Sequence, residues 1–151
     1  MTTDEVKDYL DRGSTLRQEI DRLVERRARL WQELNNVVPA YEVNETQFQP
    51  NPHAKEDKQA LYADLYGQLS DRIDELNILN QETQSMINKV DDSIFRMILA
   101  YRHIDRMRWK DIIRELNRSF RVDDRTVFRY YSQALRALAK ILEKYSEADN
   151  G

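Results

Sequence analysis

Apolar residues recur at spacings of three and four from Val6 to Val38. The stripe consists of Val6, Tyr9, Leu16, Ile20, Leu23, Leu30, Leu34 and Val37, with Gly13 and Arg27 at its two defective positions. Such a heptad spacing places apolar side chains on one face of an α-helix. Because the stripe repeats for more than four heptads, longer than a globular helix usually needs, it predicts a helix with a coiled-coil partner.

A second apolar stripe follows a segment that contains all three prolines. Pro39, Pro50 and Pro52 bracket residues 40–54, which show no apolar period, so the first helix is predicted to stop near Val38. The second stripe includes Leu61, Tyr62, Tyr66, Leu69, Ile73, Leu76, Met86, Ile87 and Val90. Two helices of matched length favour an antiparallel hairpin, although an intermolecular coiled coil, and hence a homodimer, fits the same heptads.

The composition is that of a helical chain, since 34% of the residues are charged and only 3 are Gly and 3 Pro. We therefore predict an all-α fold, with a long antiparallel helical hairpin followed by a C-terminal three-helix domain. The predicted divisions are a coiled-coil hairpin at 1–90 with a loop at 39–54, the C-terminal three-helix domain at 91–145 and a flexible tail at 146–151. In the loop, Tyr41, Phe48, Pro50 and Pro52 are candidates for a surface that docks RNA polymerase or another partner, with folding back over the hairpin end as the alternative.

Charge is divided unequally along the chain. Residues 1–92 contain 11 Lys or Arg and 19 Asp or Glu, a net charge of −8, whereas residues 93–145 contain 13 and 6, a net charge of +7. This division indicates an acidic body and a basic module that binds nucleic acid, the alternative being that the basic helices are solvated surfaces. No cysteine, signal peptide or long apolar stretch is present, so we expect a cytoplasmic protein without a membrane segment.

Three short helices are predicted after residue 90. Asp91 and Asp92 can cap the first, a second of about ten residues starts near Met107, and a last helix runs from Arg125 to about Tyr145. The polar connection between the last two is predicted at 117–124. Three helices in about fifty residues are the minimum for a helix-turn-helix domain.

The outer face of the last helix carries the side chains that a DNA-reading helix needs. Arg can pair with guanine, Gln with adenine, and an apolar ring can contact a thymine methyl group in the major groove. The predicted base contacts are Arg125, Phe128, Arg129 and Gln133. The predicted phosphate contacts are Lys110, Arg114, Arg118, Arg121, Thr126 and Arg136.

Two stretches of sequence carry a family resemblance. The segments Trp109-Lys-Asp-Ile-Ile-Arg-Glu-Leu116 and Asp124-Arg-Thr-Val-Phe-Arg-Tyr-Tyr131 resemble the helix-turn-helix of sigma-factor region 4. Over nearly the whole chain the sequence resembles phage and prophage transcriptional regulators of the RinA and ArpU kind. The resemblance implies a phage-encoded activator of late or packaging genes. One departure is that about four more residues separate Leu116 from Val127 than in the compact sigma-like turn, which predicts a longer turn or wing.

Two other classes of binding protein fit part of the pattern. A DNA-packaging protein similar to a phage small terminase subunit also combines a helix-turn-helix with helical oligomerisation, but such proteins typically place the DNA-binding helices first. A coiled-coil adaptor whose basic end contacts an acidic protein is the third reading.

The sequence does not predict an enzyme. Gly13, Gly67 and Gly151 are the only glycines, so neither a phosphate-binding loop nor a nucleophile elbow can be built. His53 and His103 are not spaced as a metal site, and His103 is expected to be a surface or helix-packing residue. We accordingly expect no cofactor and no metal.

Overall fold

The computed structural model describes residues 1–35 and 54–149, and within these ranges every regular element is helical, with no strand. The α-helices are α1 (Thr3–Leu10), α2 (Ser14–Asn35), α3 (Ala54–Ile87), α4 (Ser93–Leu99), α5 (Trp109–Phe120) and α6 (Asp124–Asp149). A π-helical turn, Ala100–Ile104, follows α4. The expectation of an all-α fold is therefore confirmed. The loop aromatics Tyr41 and Phe48, with their predicted docking role, lie outside the described residues.

The helix predicted from Val6 to Val38 is interrupted. Helix α1 ends at Leu10, and the chain turns before α2 begins, with the Ser14 N–H donating to the Asp11 carbonyl at 2.9 Å. Gly13, one of the two defects in the heptad stripe, lies in this turn. Glycine has no side chain and disfavours the helical conformation, so the helix is interrupted at the position where the stripe lacks an apolar residue.

The chain divides into two compact units. One consists of Thr15–Leu76, and the other combines Met1–Ser14 with the chain from Asn77 onward. This division differs from the predicted boundary between residues 90 and 91, because Val6 and Leu10 of α1 are buried in the same core as residues of α6. The last helix also continues to Asp149, so the segment from 146 to 149 is helical, where a flexible tail was expected.

In the unit Thr15–Leu76, α2 and α3 pack through a short leucine core. Its buried members are Leu23, Leu30, Leu65 and Leu69. Glu19 accepts a hydrogen bond from Arg72 at 3.0 Å, while the Trp31 and Tyr62 ring centres are 5.7 Å apart. Low-numbered residues of α2 thus meet high-numbered residues of α3, which is the order of an antiparallel pair.

The other unit contains two apolar cores, both of which include α6. The first consists of Val6, Leu10, Ile87, Val90, Leu99, Ala134, Leu135, Leu138, Ala139 and Leu142. The second consists of Ile98, Ile112, Leu116 and Val127, and so joins α4, α5 and the start of α6. Asp92 caps the start of α4, and its carboxylate accepts from the Ile94 N–H at 2.8 Å, as the sequence predicts.

His103 is a buried polar residue where the π-helical turn faces α6. Only 4% of its surface is exposed; Nδ1 lies 3.0 Å from an Asp11 carboxylate oxygen and Nε2 lies 2.9 Å from the Tyr131 hydroxyl. Because the Asp11 carboxylate can only accept, Nδ1 carries the imidazole proton and donates it to Asp11. Nε2 therefore accepts from the Tyr131 hydroxyl, whose pKa burial raises to about 12. Of the two expectations for His103, helix packing is confirmed and a surface position is wrong.

The buried imidazole makes stability depend on pH. Burial lowers the pKa of His103 from its ordinary 6.5, so the unfolded chain takes up the proton more readily than the folded chain. We expect the resulting stability to be complete above pH 6.5 and to decrease as the pH falls through the lower pKa of the folded protein. The measurement is the free energy of unfolding in urea at a series of pH values.

The matched variant is His103→Gln, which cannot titrate. Loss of the buried hydrogen bonds should lower its stability at pH 7.5 by roughly 1–3 kcal/mol. Its stability should nevertheless decrease less steeply than that of the wild type below pH 6.5. Parallel curves for the two proteins would show that His103 does not titrate on unfolding.

Candidate nucleic-acid interface

Only three residues, 121 to 123, connect α5 to α6. Arg121 adopts the left-handed conformation with φ 56° and ψ 38°, and its N–H donates to the Asn117 carbonyl at 2.9 Å. The Asn117 side chain in turn donates to the Val122 carbonyl at 3.1 Å. A left-handed residue at the end of a helix turns the chain sharply and satisfies the last carbonyl groups.

The longer turn predicted at 117–124 is therefore wrong. Helix α5 continues to Phe120, so the additional residues form a further helical turn and leave the connection short. The physical reason is that no helix-breaking residue occurs before Arg121. A left-handed Arg cannot be recognised from the sequence, because the residues that signal this conformation are Gly and Asn.

Asp123 caps the start of α6. Its carboxylate accepts the Thr126 N–H at 2.8 Å, and the Thr126 side chain also bonds to it. These bonds favour the ionised carboxylate, so the pKa of Asp123 is lowered. The Thr126 hydroxyl, a predicted phosphate contact, is thus engaged in the cap.

The second core fixes the inner faces of α5 and α6. Ile112, Leu116 and Val127 are each completely buried. The rings of Phe95 on α4 and Tyr130 on α6 add a contact with centres 5.8 Å apart. Because these side chains hold one face of each helix, the polar residues between them are directed outward.

The outer face of α6 carries a basic stripe. Arg125, Arg129 and Arg136 are exposed, and spacings of four and seven residues place them along one side of the helix. Gln133, also exposed, lies beside them. Phe128 is 44% exposed and contacts Trp109 of α5, with ring centres 5.0 Å apart, so part of its ring surface is covered by the protein.

A second set of cations lies on α5. Lys110, Arg114 and Arg118 are exposed and spaced by four residues, which places them on one side of the helix. Arg114 lies 3.8 Å from Asp111, and Arg118 lies 2.5 Å from Glu115. Exposed ion pairs of this kind contribute little, about 0–1 kcal/mol, so these guanidinium groups can exchange to another anion at small cost.

Arg102 and Trp109 are part of the same surface, and the sequence reading missed the arginine. The Arg102 guanidinium lies 5.1 Å from the centre of the Trp109 ring and donates to the Met107 carbonyl at 3.1 Å. The Trp109 ring also contacts Tyr131 edge-on, with ring centres 4.6 Å apart. The available signal was the excess of arginines from 102 to 108, which lies outside the helices that the periodicity defines.

Comparisons with family models, with curated proteins and with solved structures gave no match for this chain. Within residues 1–35 and 54–149, no three or more His, Asp or Glu side chains are grouped so that they could hold a metal ion. None of the helices in these ranges has both the length and the apolar content needed to cross a membrane.

The strained turn can be tested by substitution. Arg121→Gly removes the Cβ that disfavours positive φ, so the free energy of unfolding should stay constant or rise by up to about 1 kcal/mol. Arg121→Val should lower it by about 1–2 kcal/mol, since a branched side chain fits this conformation poorly. Urea denaturation of both variants measures the difference. Greater stability of the Val variant would contradict the left-handed assignment.

Proposed function

We propose that this chain is a sequence-specific transcriptional regulator that binds double-stranded DNA through a helix-turn-helix formed by α5 and α6. The observation that carries the proposal is the three-residue turn between two amphipathic helices, the second of which exposes Arg125 and Arg129 in its first two turns. Helix-turn-helix motifs use a connection of three to four residues and place the second helix in the major groove. The helical hairpin of α2 and α3 forms the body of the protein in this proposal.

In this arrangement the first three turns of α6 read bases. Arg125 and Arg129 donate pairs of hydrogen bonds to guanine, and Gln133 does so to adenine while accepting in return. Phe128 offers the exposed part of its ring to a thymine methyl group, and Trp109 holds that ring in place. A side chain already held by a neighbour loses less conformational entropy on binding.

The remaining cations position the helix on the duplex. Lys110, Arg114 and Arg118 on α5, together with Arg121 in the turn and Arg136 on α6, are assigned to phosphates. Each phosphate contact releases condensed counterions, so together they produce a strong decrease of affinity with salt. The net charge of +7 between residues 93 and 145, against −8 before it, supports DNA contact by this part of the chain alone.

The regulatory assignment rests on the resemblance to phage regulators of the RinA and ArpU kind. It implies activation of late or packaging genes. RNA polymerase is proposed as a further partner, and no catalytic activity is proposed. Footprinting on the DNA that surrounds the protein's own gene tests this part of the proposal. Protection of a promoter there would support it, and protection of none would remove the regulatory role.

A double variant tests the assignment of the reading helix. Arg125→Ala with Arg129→Ala should weaken binding to a duplex selected from a randomised library by about 2–6 kcal/mol, from about 1–3 kcal/mol for each contact. Because both side chains are exposed, the helix content measured by circular dichroism should not change.

The control is Lys144→Ala, an exposed lysine far along the same helix, which should bind the selected duplex like the wild type. Equal affinity of the double variant and the wild type would remove α6 as the reading helix. Failure of the wild type to bind any duplex at low salt would instead favour the coiled-coil adaptor.

We also propose that a second copy of the chain covers one face of the α2 and α3 pair. Val24 and Trp31 on α2, and Tyr66 and Ile73 on α3, are 39% to 60% exposed although they are apolar or aromatic. The Arg27 guanidinium lies 6.0 Å from the centre of the Tyr66 ring, which places the two helices' stripes on the same side. Exposed apolar patches on this scale mark protein interfaces.

The size of this face fits a dimer. Helix α2 has 22 residues and is therefore about 33 Å long. Two helices about 10 Å wide give a face of roughly 660 Å², close to the roughly 800 Å² that each partner buries in a standard interface. Ala28 and Ser70 are uncharged residues at intervening positions along the stripes, and the charged side chain on the stripe between Val24 and Trp31, Arg27, lies against the Tyr66 ring.

The dimer is tested by placing a charge on the apolar face. Tyr66→Glu should weaken self-association at least tenfold in sedimentation equilibrium, because the carboxylate would be desolvated in the interface. Gln68→Glu, an exposed change on another side of the same helix, is the matched control and should associate like the wild type. A monomeric wild type would contradict the proposal, and a closed ring of many subunits would favour the DNA-packaging reading.

A further inference from the structure

We propose that a polar cleft beside the start of α5 binds a phosphate group of the DNA backbone, outside the segment that reads bases. The cleft is lined by Asp11, Ser14, Arg102 and Arg106 and has a volume of about 200 Å³. This is more than ten times the roughly 10–15 Å³ that a cavity needs to hold one water molecule, so a phosphate group fits. The inference rests on the proposed DNA-binding function.

The donors in the cleft suit a phosphate. The two guanidinium groups present N–H donors in planar sets, and the Ser14 hydroxyl supplies a further donor. Arg102 donates one of its hydrogen bonds to the Met107 carbonyl. This bond and the contact with Trp109 hold the guanidinium in place. Arg106 is 44% exposed and keeps N–H groups available to a ligand.

The charge of the cleft is positive despite the presence of one carboxylate. Asp11 is already engaged by His103 Nδ1 at 3.0 Å and lies 3.5 Å from the Arg106 guanidinium, longer than a good hydrogen bond. The pKa of His103 is lowered by burial, so this imidazole is neutral at pH 7. The cleft therefore holds two arginines and one carboxylate, and the remaining positive charge can be matched by a phosphate.

The backbone of Arg106 supplies a second reason. In residues 1–35 and 54–149, Arg106 and Arg121 are the two residues other than glycine with positive φ, at 59° and 56°. They lie before and after α5, so each end of this helix has an arginine in an unfavourable conformation. Strained residues of this kind cluster at binding sites.

Contacts connect the cleft to the reading helix. Arg102 lies against Trp109 at 5.1 Å, and the Trp109 ring is 5.0 Å from the Phe128 ring. A phosphate held by Arg102 and Arg106 is thus linked through a single aromatic side chain to a predicted base contact. Phosphate contacts fix the register of a protein on the duplex, and this one would fix Phe128.

The first test is the salt dependence of DNA binding by Arg106→Gly. Glycine favours the positive φ at this position, so the variant loses the guanidinium without straining the turn. With one phosphate contact removed, the slope of log K against log salt concentration should become shallower by about 0.9, and affinity should fall by a similar factor for selected and unselected duplexes.

Lys144→Ala is the control for a general loss of positive charge and should leave the slope unchanged. An unchanged slope for Arg106→Gly would overturn the assignment of the cleft to DNA and leave Arg106 as a structural partner of Asp11. If the wild type bound no duplex, the proposed function itself would fail, a different result from an unaltered variant.

The second test does not use DNA. In a Trp31→Phe background, Trp109 is the only tryptophan, and Arg102 lies against its ring. Titration with inorganic phosphate at constant ionic strength should change its fluorescence in a saturable manner, and Arg106→Gly should abolish the change. No saturable change would overturn the phosphate site. A saturable change with an unaltered DNA salt slope would make the site one for free phosphate and overturn the DNA assignment.

Discussion

The packing of α6 is the constraint on which the rest of its unit depends. Val127, in its first turn, is buried against Ile112 and Leu116, while Leu138 and Leu142 further along are buried with α1 and the end of α3. Tyr131 contacts both cores. One helix therefore joins the part assigned to DNA with the part that carries the N-terminal segment, and its inner face is held over most of its length.

A hydrogen-bonded network of three polar side chains lies where the two cores meet. The Asp11 carboxylate, the His103 imidazole and the Tyr131 hydroxyl are connected by hydrogen bonds of 3.0 and 2.9 Å. Burying a polar group costs free energy unless the group is hydrogen-bonded. The network therefore favours one arrangement of the π-helical turn against α6. It also explains how a segment near the start of the sequence becomes part of the C-terminal unit: Asp11 supplies the carboxylate that the buried imidazole needs.

The sequence predicted the helices well and their ends poorly. The spacing of Ile112, Leu116 and Val127 identified the buried faces of α5 and α6 because periodicity reports burial directly. The same reasoning joined Val6 to Leu23 in one helix, although the structure buries these side chains in different cores. Spacing shows only that a face is covered and not by which element, so the break before Ser14 and the two-unit division could not be derived from it.

In the candidate site, too, local sequence patterns were predictable and tertiary contacts were not. Exposure of Arg125, Arg129 and Gln133 follows from their position opposite the apolar stripe and was predictable. Arg102 and Arg106 were not predictable as neighbours of Asp11, because that contact joins residues more than ninety positions apart. Their placement depends on α1 packing against α6, which is a tertiary property without a local pattern.

The left-handed conformation of Arg121 explains how the turn before α6 can be short although it contains no glycine. Glycine would adopt the conformation of Arg121 without strain, but it is flexible in the unfolded chain and contributes no charge. An arginine there accepts strain and places a cation directly before the helix that is proposed to read bases. Because both cores hold the inner face of α6, the strain at Arg121 is borne by a packed framework, which also fixes the backbone that carries the basic stripe.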